Sequence, residues 1–262
     1  MGKSYWSVLL LVSAVLLCSC RTVPISSRRQ LLLNSEAEEM KLGATAYSEY
    51  KAEYPVSKNR TYVDALSRVG LAIQKVAEKD DYAWEFTVLE SETANAFCLS
   101  GGKVAVYSGI FQFIDNDAEL ATVVAHEIAH ALARHGGERM SWAAMQQLGY
   151  LGLKHAGGGE ISEMVYGYGT QLGVMLPFSR KHENEADAIG LILMAKAGFH
   201  PAAAVTFWKK FGGDRSPSLI EQWTSTHPGG QERVTQLSDM QDEALQLYNQ
   251  APVKYGLGQK IK

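Results

Sequence analysis

Cysteine is scarce in this sequence, and so are the features that mark several common protein classes. Its 262 residues contain only three cysteines, Cys18, Cys20 and Cys98, which are too few for a disulfide framework. Beyond the N-terminus no apolar run reaches the roughly 20 residues that a membrane-spanning helix needs. The formal net charge of −3 gives no electrostatic basis for binding nucleic acid. We therefore expect a globular domain without a nucleic-acid partner.

The first twenty residues differ from the rest of the chain. Lys3 precedes an uncharged run from Tyr5 to Leu17, which at about 13 residues is typical of a secretory signal peptide and too short to span a bilayer as a helix. Leu17 and Ser19 before Cys20 resemble the bacterial lipobox, in which the cysteine is acylated after cleavage. Residues 1–19 are therefore interpreted as a lipoprotein signal peptide, with an uncleaved anchor or ordinary secretion as alternatives.

The residues after Cys20 indicate how the domain would be attached. The residue that follows Cys20 is Arg21 and not an aspartate. In a Gram-negative cell this choice resembles the signal that sorts a lipoprotein to the outer membrane. Residues 20–34 show no periodicity and are interpreted as a lipid-anchored tether. The sequence thus predicts a domain over residues 35–262 that faces the periplasm and contacts the membrane through lipidated Cys20.

An apolar helical pattern over residues 115–135 carries the most informative motif, His126, Glu127 and His130. Residues four apart lie on one helix face, so the two imidazoles can bind one ion at about 2.0–2.1 Å each. Glu127, about 100° further round the helix, can reach a water on that ion, as a general base does in zinc peptidases. Chance spacing is the alternative, but three such side chains in so apolar a helix are costly to bury without a partner.

A second helix, beginning near Ser179, offers the rest of the site. Glu183 and Asp187 are four residues apart, so Glu183 can be the third ligand while Asp187 accepts the ring N–H of a histidine. Three protein ligands leave one position open, as in catalytic zinc sites. Glu185 is the competing ligand, but it lies about 160° from Asp187 and is predicted to face solvent or Arg180. A solvated acidic first turn that stabilises the helix dipole is the alternative for the pair.

A third motif is Ser225-Thr226-His227-Pro228, with Arg233 six residues beyond His227. His227 is predicted either to stabilise an oxyanion or to occupy the open metal position at rest; an ordinary turn histidine before proline is the alternative. The remaining histidines have no motif partner and are interpreted as surface or core residues: His135, His155, His182 and His200.

The rest of the chain predicts helices around a few short strands. Asn34 or Ser35 caps a helix to about Glu53, and a second helix runs from about Lys58 to Glu78. Period-two alternation between Trp84 and Tyr107 indicates strands, with Asn95, Ala96 and Phe97 among them. Residues 138–176 predict helices with a mobile connection, either an irregular hairpin or a lid, and a further helix covers Pro201 to Phe211.

Taken together, these motifs resemble the zinc metallopeptidase family of HtpX, the Ste-type CAAX proteases and the Oma-type peptidases. The resemblance rests on three motifs in order: His126-Glu127-Ile128-Ala129-His130, Ser179-Arg180-x-x-Glu183-x-x-Ala186-Asp187, and Thr226-His227-Pro228 with Arg233. Asn95-Ala96-Phe97 with Gly101-Gly102 also resembles the family's edge strand before the metal helix. The chain lacks the membrane spans of the integral-membrane branches, so it is more similar to the small periplasmic lipoprotein branch.

The resemblance implies an α+β, mainly helical fold, a gluzincin-like metalloprotease domain with a small sheet beside the metal-binding helix. It implies one Zn²⁺ per chain on His126, His130 and Glu183, with Glu127 as base and Asp187 and Arg233 contacting the ligands. Substrate would be held by residues 95–97 as an added strand.

The function predicted on this basis is an endopeptidase of misfolded or unassembled cell-envelope proteins, in which a metal-activated water loses its proton to Glu127. An envelope assembly chaperone with a mainly structural metal is the main alternative, and Glu127 argues against it because a structural site needs no base. An exopeptidase is a further alternative, but no charged pocket for a chain terminus can be identified.

Overall fold

The computed structural model describes residues 20–23, 26–155, 157, 159, 176–213, 223, 227 and 231–261. Within these ranges none of the helices combines the length and the apolar composition that crossing a bilayer requires. Helices predominate and the strands are few and short, which confirms the predicted α+β, mainly helical class. The elements in chain order are β1 Cys20–Thr22, β2 Arg29–Leu31, α1 Glu36–Glu53, α2 Arg60–Gln74, β3 Glu85–Leu89, β4 Ala96–Leu99, β5 Lys103–Tyr107, a 3₁₀ turn Ser108–Phe113, α3 Asp117–Leu132, α4 His135–His155, α5 Leu176–Lys196, α6 Ala202–Gly213, α7 Gln231–Asp239 and α8 Gln241–Gln250.

Local sequence signals set the ends of the first two helices. Ser35 caps α1 in a capping box, in which its hydroxyl accepts from the backbone of Glu38 while the Glu38 carboxylate accepts from the backbone of Ser35. The predicted helix from Lys58 to Glu78 is shorter in the structure. It starts after Asn59, whose side chain accepts from the Thr61 amide and caps it.

The central sheet contains three strands in the order β3-β5-β4. β3 runs parallel to β5, with Phe86 opposite Val104, and β4 runs antiparallel to β5, with Ala96 opposite Val106. β4 therefore lies at an edge of the sheet, on the side that packs against α3. This confirms the prediction of an edge strand beside the metal-binding helix.

Helix α3 is buried on all sides, so its polar residues face other protein groups. The Asn116 side chain caps its first turn by accepting from the amides of Ala118 and Glu119. Helix α5 packs along it at Gly190, where a Cβ would lie 3.0 Å from the backbone nitrogen of His126. Glycine is needed here because any side chain would separate the two helices that carry the metal motifs.

The C-terminal segment holds the start of α3 from the outside. The Asp117 amide donates to the carbonyl of Gln259, and the Gln259 amide donates back to the Asp117 carboxylate. Arg68 from α2 binds the same carboxylate through two nitrogens at 2.7 and 3.0 Å. Two separate parts of the chain, the C-terminal segment and α2, thereby fix the end of the helix that precedes the histidine motif.

Residues 20–34 are more structured than the predicted tether. β1 and β2 form an antiparallel hairpin in which Cys20 is opposite Leu31, and Val23 is buried against the main core. Apolar side chains and Arg28 hold the described part of this segment against the domain, and its role as a lipid-anchored tether stays a prediction.

The segment between the two metal motifs is described only in part. Residues 135–155 form α4, which confirms the predicted helical character of its first half. Most of residues 156–175 lie outside the described residues, and with them the prediction of a lid or an irregular hairpin. The helix predicted from Pro201 to Phe211 is present as α6.

Candidate metal centre

Helices α3 and α5 bring three of the predicted ligands to one point. The Nε2 atoms of His126 and His130 are 3.2 Å apart. Glu183 on α5 approaches both rings, with Oε2 at 3.3 Å from His126 Nε2 and Oε1 at 3.4 Å from His130 Nε2. All three side chains are buried. The helix periodicity places the two histidines together, and the α3–α5 contact brings in the carboxylate.

These distances fit a tetrahedral metal ion. An ion with bonds of about 2.0–2.1 Å at tetrahedral angles holds its ligand atoms about 3.4 Å apart. This is close to the 3.2 Å between the two histidine nitrogens and to the 3.3 and 3.4 Å that separate each of them from one oxygen of Glu183, Oε2 for His126 and Oε1 for His130. His227 adds a fourth atom, because its Nδ1 is 3.4 Å from His126 Nε2 and 3.0 Å from Glu183 Oε2. Among the described residues these four side chains form a group whose ligand atoms all lie within 4.8 Å of one another.

The orientation of His126 is set by an ion pair behind it. Its Nδ1 lies 3.0 Å from Asp187 Oδ1, and since a carboxylate only accepts, Nδ1 is the donor. Arg233 holds the same carboxylate by two bonds, from Nε at 2.6 Å and from Nη2 at 2.7 Å. The guanidinium also stacks on Trp208 at 4.0 Å. Nε2 of His126 is thereby directed at Glu183 and the second histidine.

The orientation of His130 is set by a different pair of residues. Its Nδ1 lies 2.8 Å from Nδ1 of His135, and Nε2 of His135 lies 2.8 Å from Glu185 Oε2. His135 donates to the carboxylate from Nε2, so its Nδ1 accepts from His130. Nε2 of His130 therefore also presents a lone pair to the cluster. Two lone pairs and a carboxylate at these separations repel one another unless a proton or a metal cation lies among them.

His135 reaches His130 because of the backbone at Arg134. This residue adopts a left-handed conformation, with φ of 54°, so α3 ends at Leu132 and α4 begins at His135 after a sharp turn. The Arg134 side chain stabilises the turn by two bonds to the Glu39 carboxylate, at 2.8 and 3.0 Å. The junction thus brings a histidine from the next helix under the metal-facing ring.

The prediction that Glu185 faces solvent or Arg180 is wrong. Its side chain is buried and bonded to His135, Arg28 and Ser26. Helix α5 lies between α3 on one side and the N-terminal hairpin with α4 on the other, so its first described turns have protein on opposite faces. For this reason Glu183 and Glu185, two residues apart, both point at buried histidines.

His227 closes the cluster on the side of Glu127. Its ring stacks on Trp223, with centroids 4.4 Å apart and planes at 26°, and its Nε2 lies 3.5 Å from Glu127 Oε1. The neighbours that completed its predicted motif, Ser225, Thr226 and Pro228, lie outside the described residues. His227 therefore contacts both the predicted ligands and the predicted base.

Comparison with known proteins identifies the family of this chain. The model of peptidase family M48 matches residues 61–241, which is more than half of the chain. The chain belongs to peptidase family M48. The match includes both helices of the metal cluster and Arg233, and it confirms the resemblance inferred from the motifs.

Curated relatives of this M48 chain carry protease names. It is 36% identical over 229 residues to the Mitochondrial metalloendopeptidase OMA1 of Schizosaccharomyces pombe, covering 85% of this chain and 66% of that protein. It is 37% identical over 194 residues to the OMA1 of Arabidopsis thaliana, covering 68% of this chain and 38% of that protein. It is 28% identical over 226 residues to the Beta-barrel assembly-enhancing protease of Escherichia coli K12, covering 81% of this chain and 45% of that protein. The chain thus spans between 38% and 66% of these relatives.

Burial gives the titratable groups of the M48 site unusual pKa values. Burial raises the pKa of Glu127, although the nearby histidines oppose this shift. Burial and Arg233 lower the pKa of His126, but hydrogen bonds to Asp187 and Glu183 outweigh them and raise it to about 9. Metal uptake is therefore expected to displace a proton from His126.

The predicted substrate residues of the M48 chain lie beside the metal helix but do not present their side chains to the cluster. Asn95 and Ala96 are buried, and Phe97 packs against Tyr50 and Tyr107 in a smaller apolar cluster on the other face of the sheet. Only the backbone of this strand is in position to pair with a further chain.

Sequence reasoning missed the hydrogen bonds that connect Arg28, Glu185 and His135 with His130. His135 stands five residues after His130, a spacing that places two side chains on different faces of a continuous helix. Only the left-handed residue between them brings the rings together. Arg28 belongs to another part of the chain, so no spacing connects it with the motif. The one sequence signal for these contacts was the presence of two acidic residues, Glu183 and Glu185, close together on a single helix.

Proposed function

We propose that this chain is a zinc-dependent endopeptidase in which Glu127 is the general base. The observation that supports the proposal is the convergence of His126, His130 and Glu183, whose nitrogen and oxygen atoms lie 3.2 to 3.4 Å apart, with the buried carboxylate of Glu127 on the same helix as the two histidines. When bound there, Zn²⁺ would act as a Lewis acid on water and on the peptide carbonyl. The residues of the chain supply orientation, exclusion of bulk water and proton transfer.

Glu127 has the environment that a base in this role requires. It is buried, and its Oε1, with His227 Nε2 at 3.5 Å, makes no hydrogen bond within the described part of the chain, so this oxygen can accept from a substrate water. A carboxylate whose pKa is raised by burial accepts a proton more readily near neutral pH. We propose that Glu127 takes the proton from the attacking water and returns it to the leaving amine.

The edge strand β4 suggests how a polypeptide would be held. Its other side pairs with β5, and no strand of the described chain pairs with its outer edge. A substrate added there would be recognised through its backbone, with Asn95, Ala96 and Phe97 supplying the matching groups. Recognition of backbone suits misfolded or unassembled proteins, whose extended segments are exposed.

We further propose that the chain acts in a bacterial cell envelope, attached through lipidated Cys20, facing the periplasm at the outer membrane. The lipobox-like residues before Cys20 support this, as does similarity to a protein named for enhancing β-barrel assembly. The OMA1 relatives are named mitochondrial, so the compartment needs its own test. Labelled fatty acid should enter the expressed chain but not Cys20→Ala, and incorporation into both would contradict the anchor.

The function is tested with an unfolded casein as substrate, using the purified chain loaded with zinc. Glu127→Gln should lower the cleavage rate by about 10²- to 10⁴-fold, the usual contribution of a general base, while zinc content is retained. Glu119→Gln, a buried glutamate two turns earlier on the same helix, is the matched control and should cleave at nearly the wild-type rate. Wild-type cleavage by Glu127→Gln would overturn the assignment of the base.

Mass spectrometry of the products separates the alternatives. Internal fragments from a peptide blocked at both ends indicate an endopeptidase, and stepwise loss of terminal residues indicates an exopeptidase. Binding of unfolded clients without cutting, unaffected by Glu127→Gln, would favour the chaperone.

We also propose that His227 covers the metal position at rest. Its Nδ1 lies 3.4 Å from His126 Nε2 and 3.0 Å from Glu183 Oε2, a spacing that suits a fourth ligand atom. Nδ1 would then take the coordination position of a water or a substrate carbonyl. His227→Ala should raise basal cleavage of a short peptide. Unchanged or lost cleavage in this variant would contradict self-inhibition, and lost cleavage would favour a role for His227 in stabilising the oxyanion.

A further inference from the structure

Arg28, in the loop of the N-terminal hairpin, is inserted between two buried carboxylates. It binds Glu138 of α4 through Nη1 at 2.9 Å and Nη2 at 2.6 Å. It also binds Glu185 of α5 through Nη2 at 2.9 Å and Nε at 3.1 Å. Both carboxylates are almost fully buried, whereas the Arg28 side chain is 24% exposed. The hairpin thus supplies a cation that is shared by one carboxylate from α4 and one from α5.

From Arg28 the hydrogen bonds continue to the metal cluster. Glu185 accepts from Nε2 of His135 at 2.8 Å, and Nδ1 of His135 lies 2.8 Å from Nδ1 of the metal-facing His130. The His135 ring is also stacked on His182, at 4.0 Å and 12°, and His182 is bonded to Glu138 at 3.0 Å. Two neighbours of His135 are therefore held by Arg28, Glu185 directly and His182 through Glu138.

This arrangement has an electrostatic cause and a geometric consequence. Without the guanidinium, the carboxylates of Glu138 and Glu185 would face each other in a poorly hydrated space and repel. Displacement of Glu185 would remove the acceptor that fixes the His135 ring, and His130 would lose the partner that directs its Nε2 at the cluster. Ligand orientation of this kind typically contributes 10- to 100-fold to metal affinity.

We propose that Arg28 is a positioning residue for the metal centre, acting on His130 through Glu185 and His135, so that the N-terminal hairpin completes the metal site. The proposal rests on the proposed zinc-binding function. It predicts that metal affinity depends on a residue that contacts no metal ligand and lies outside the segment matched by the family model.

Zinc affinity of the purified full chain, measured by competition with a chromophoric chelator well below the unfolding temperature, tests the proposal. Arg28→Ala should weaken zinc binding by about 10-fold, at the lower end of the range for groups that orient ligands. Arg29→Ala is the matched control, because Arg29 is the exposed neighbour on the same hairpin, and its affinity should equal that of the wild type. Arg28→Lys keeps the charge without the two-pronged geometry and should lie between.

A double variant tests whether Arg28 acts on His130 through Glu185. If Arg28 acts through Glu185, Arg28→Ala should add little to the loss caused by Glu185→Ala alone, whereas independent effects would multiply. The absorption spectrum of bound Co²⁺ gives a readout that general destabilisation would not move, and Arg28→Ala should change the intensity or position of its visible bands.

The outcomes are separable from those of the proposed function. If the wild type binds no zinc, the proposed function fails. If the wild type binds and Arg28→Ala is destabilised but has wild-type affinity and Co²⁺ spectrum, only the positioning role is overturned and Arg28 is a structural ion pair. Should Arg28→Ala fail to fold, Arg28→Lys decides by the same criterion: weaker binding supports the proposal, and wild-type binding overturns it.

Discussion

Removal of Arg233 tests whether burial governs the ion pair behind the metal site. Arg233 and Asp187 are each about 3% exposed or less, and the guanidinium makes two bonds to the carboxylate at 2.6 and 2.7 Å. In Arg233→Met the apolar stem still covers Trp208, while Asp187 loses its cation. The variant therefore tests the loss of the guanidinium from a buried carboxylate that keeps its contact with His126 Nδ1.

The expected loss of stability follows from removing the cation of this buried ion pair. Breaking a buried ion pair by removing one partner costs about 3–5 kcal/mol. The surface pair Arg60–Asp64, with a separation of 3.5 Å and side chains 82% and 55% exposed, provides the matched control, and Arg60→Met should cost at most about 0.5 kcal/mol. A loss of 1 kcal/mol lowers the melting temperature of a chain of this size by roughly 2–4 °C. The melting temperature should therefore fall by about 6–20 °C in Arg233→Met and by about 2 °C or less in Arg60→Met.

The assay is urea unfolding at pH 7 with a chelator present, so that metal binding does not contribute. Replacing both partners, in Arg233→Met with Asp187→Asn, should recover part of the lost stability because the unpaired charge is gone. Losses within about 1 kcal/mol of each other for the Arg233 and Arg60 variants would refute the reasoning from burial.

The effect also has a predicted pH dependence. Burial alone would raise the pKa of Asp187, but the charge and hydrogen bonds of Arg233 outweigh it and lower the pKa below its usual range. The pair therefore stabilises the wild type fully above the unfolded pKa of about 3.9, and this contribution is lost as the pH falls through the lowered folded value. The gap between wild type and Arg233→Met should shrink on acidification.

Three further predictions concern other parts of the structure. Gly190→Ala should lower the free energy of unfolding by about 1–3 kcal/mol and weaken zinc binding, because its Cβ would meet the backbone of His126 at 3.0 Å. Gly152→Ala, with open space around it, should have neither effect. Urea unfolding measures the stability of the two variants, and chelator competition measures their zinc affinity. Ser35→Ala should cost about 1 kcal/mol in urea unfolding through loss of the capping box. Burial alone would raise the pKa of Glu185, but its hydrogen bonds outweigh burial and lower the pKa to about 2. The wild type should therefore lose more stability between pH 6 and pH 3 than Glu185→Gln does, and equal losses would contradict this.

Helix α5 shows why one helix supplies both a predicted ligand and an unexpected support. Glu183 points at α3 and Glu185 at α4 and the hairpin. The sequence analysis predicted a helix with one face toward solvent, and such a helix would have only one face in contact with histidines of the protein. The burial of both faces lets neighbouring acidic residues orient different histidines of one cluster.

The sequence by itself determined the local features of this protein. Helix periodicity placed His126 and His130 on one face and Glu127 beside them, because residues four apart always stand together on a helix. Capping chemistry at Ser35 and the period-two pattern before Tyr107 predicted the first helix and the edge strand. The order of three motifs pointed to the family that the comparison with known proteins confirmed.

Only the tertiary structure decided which distant groups meet. The close approach of α5 to α3 at Gly190 sets the distance of Glu183 from the histidines. The left-handed turn at Arg134 brings His135 under His130, and the hairpin carries Arg28 to Glu185. These contacts depend on how separate elements pack, and hydrogen bonds between them leave no periodic signal in the chain, so spacing along the sequence does not predict them.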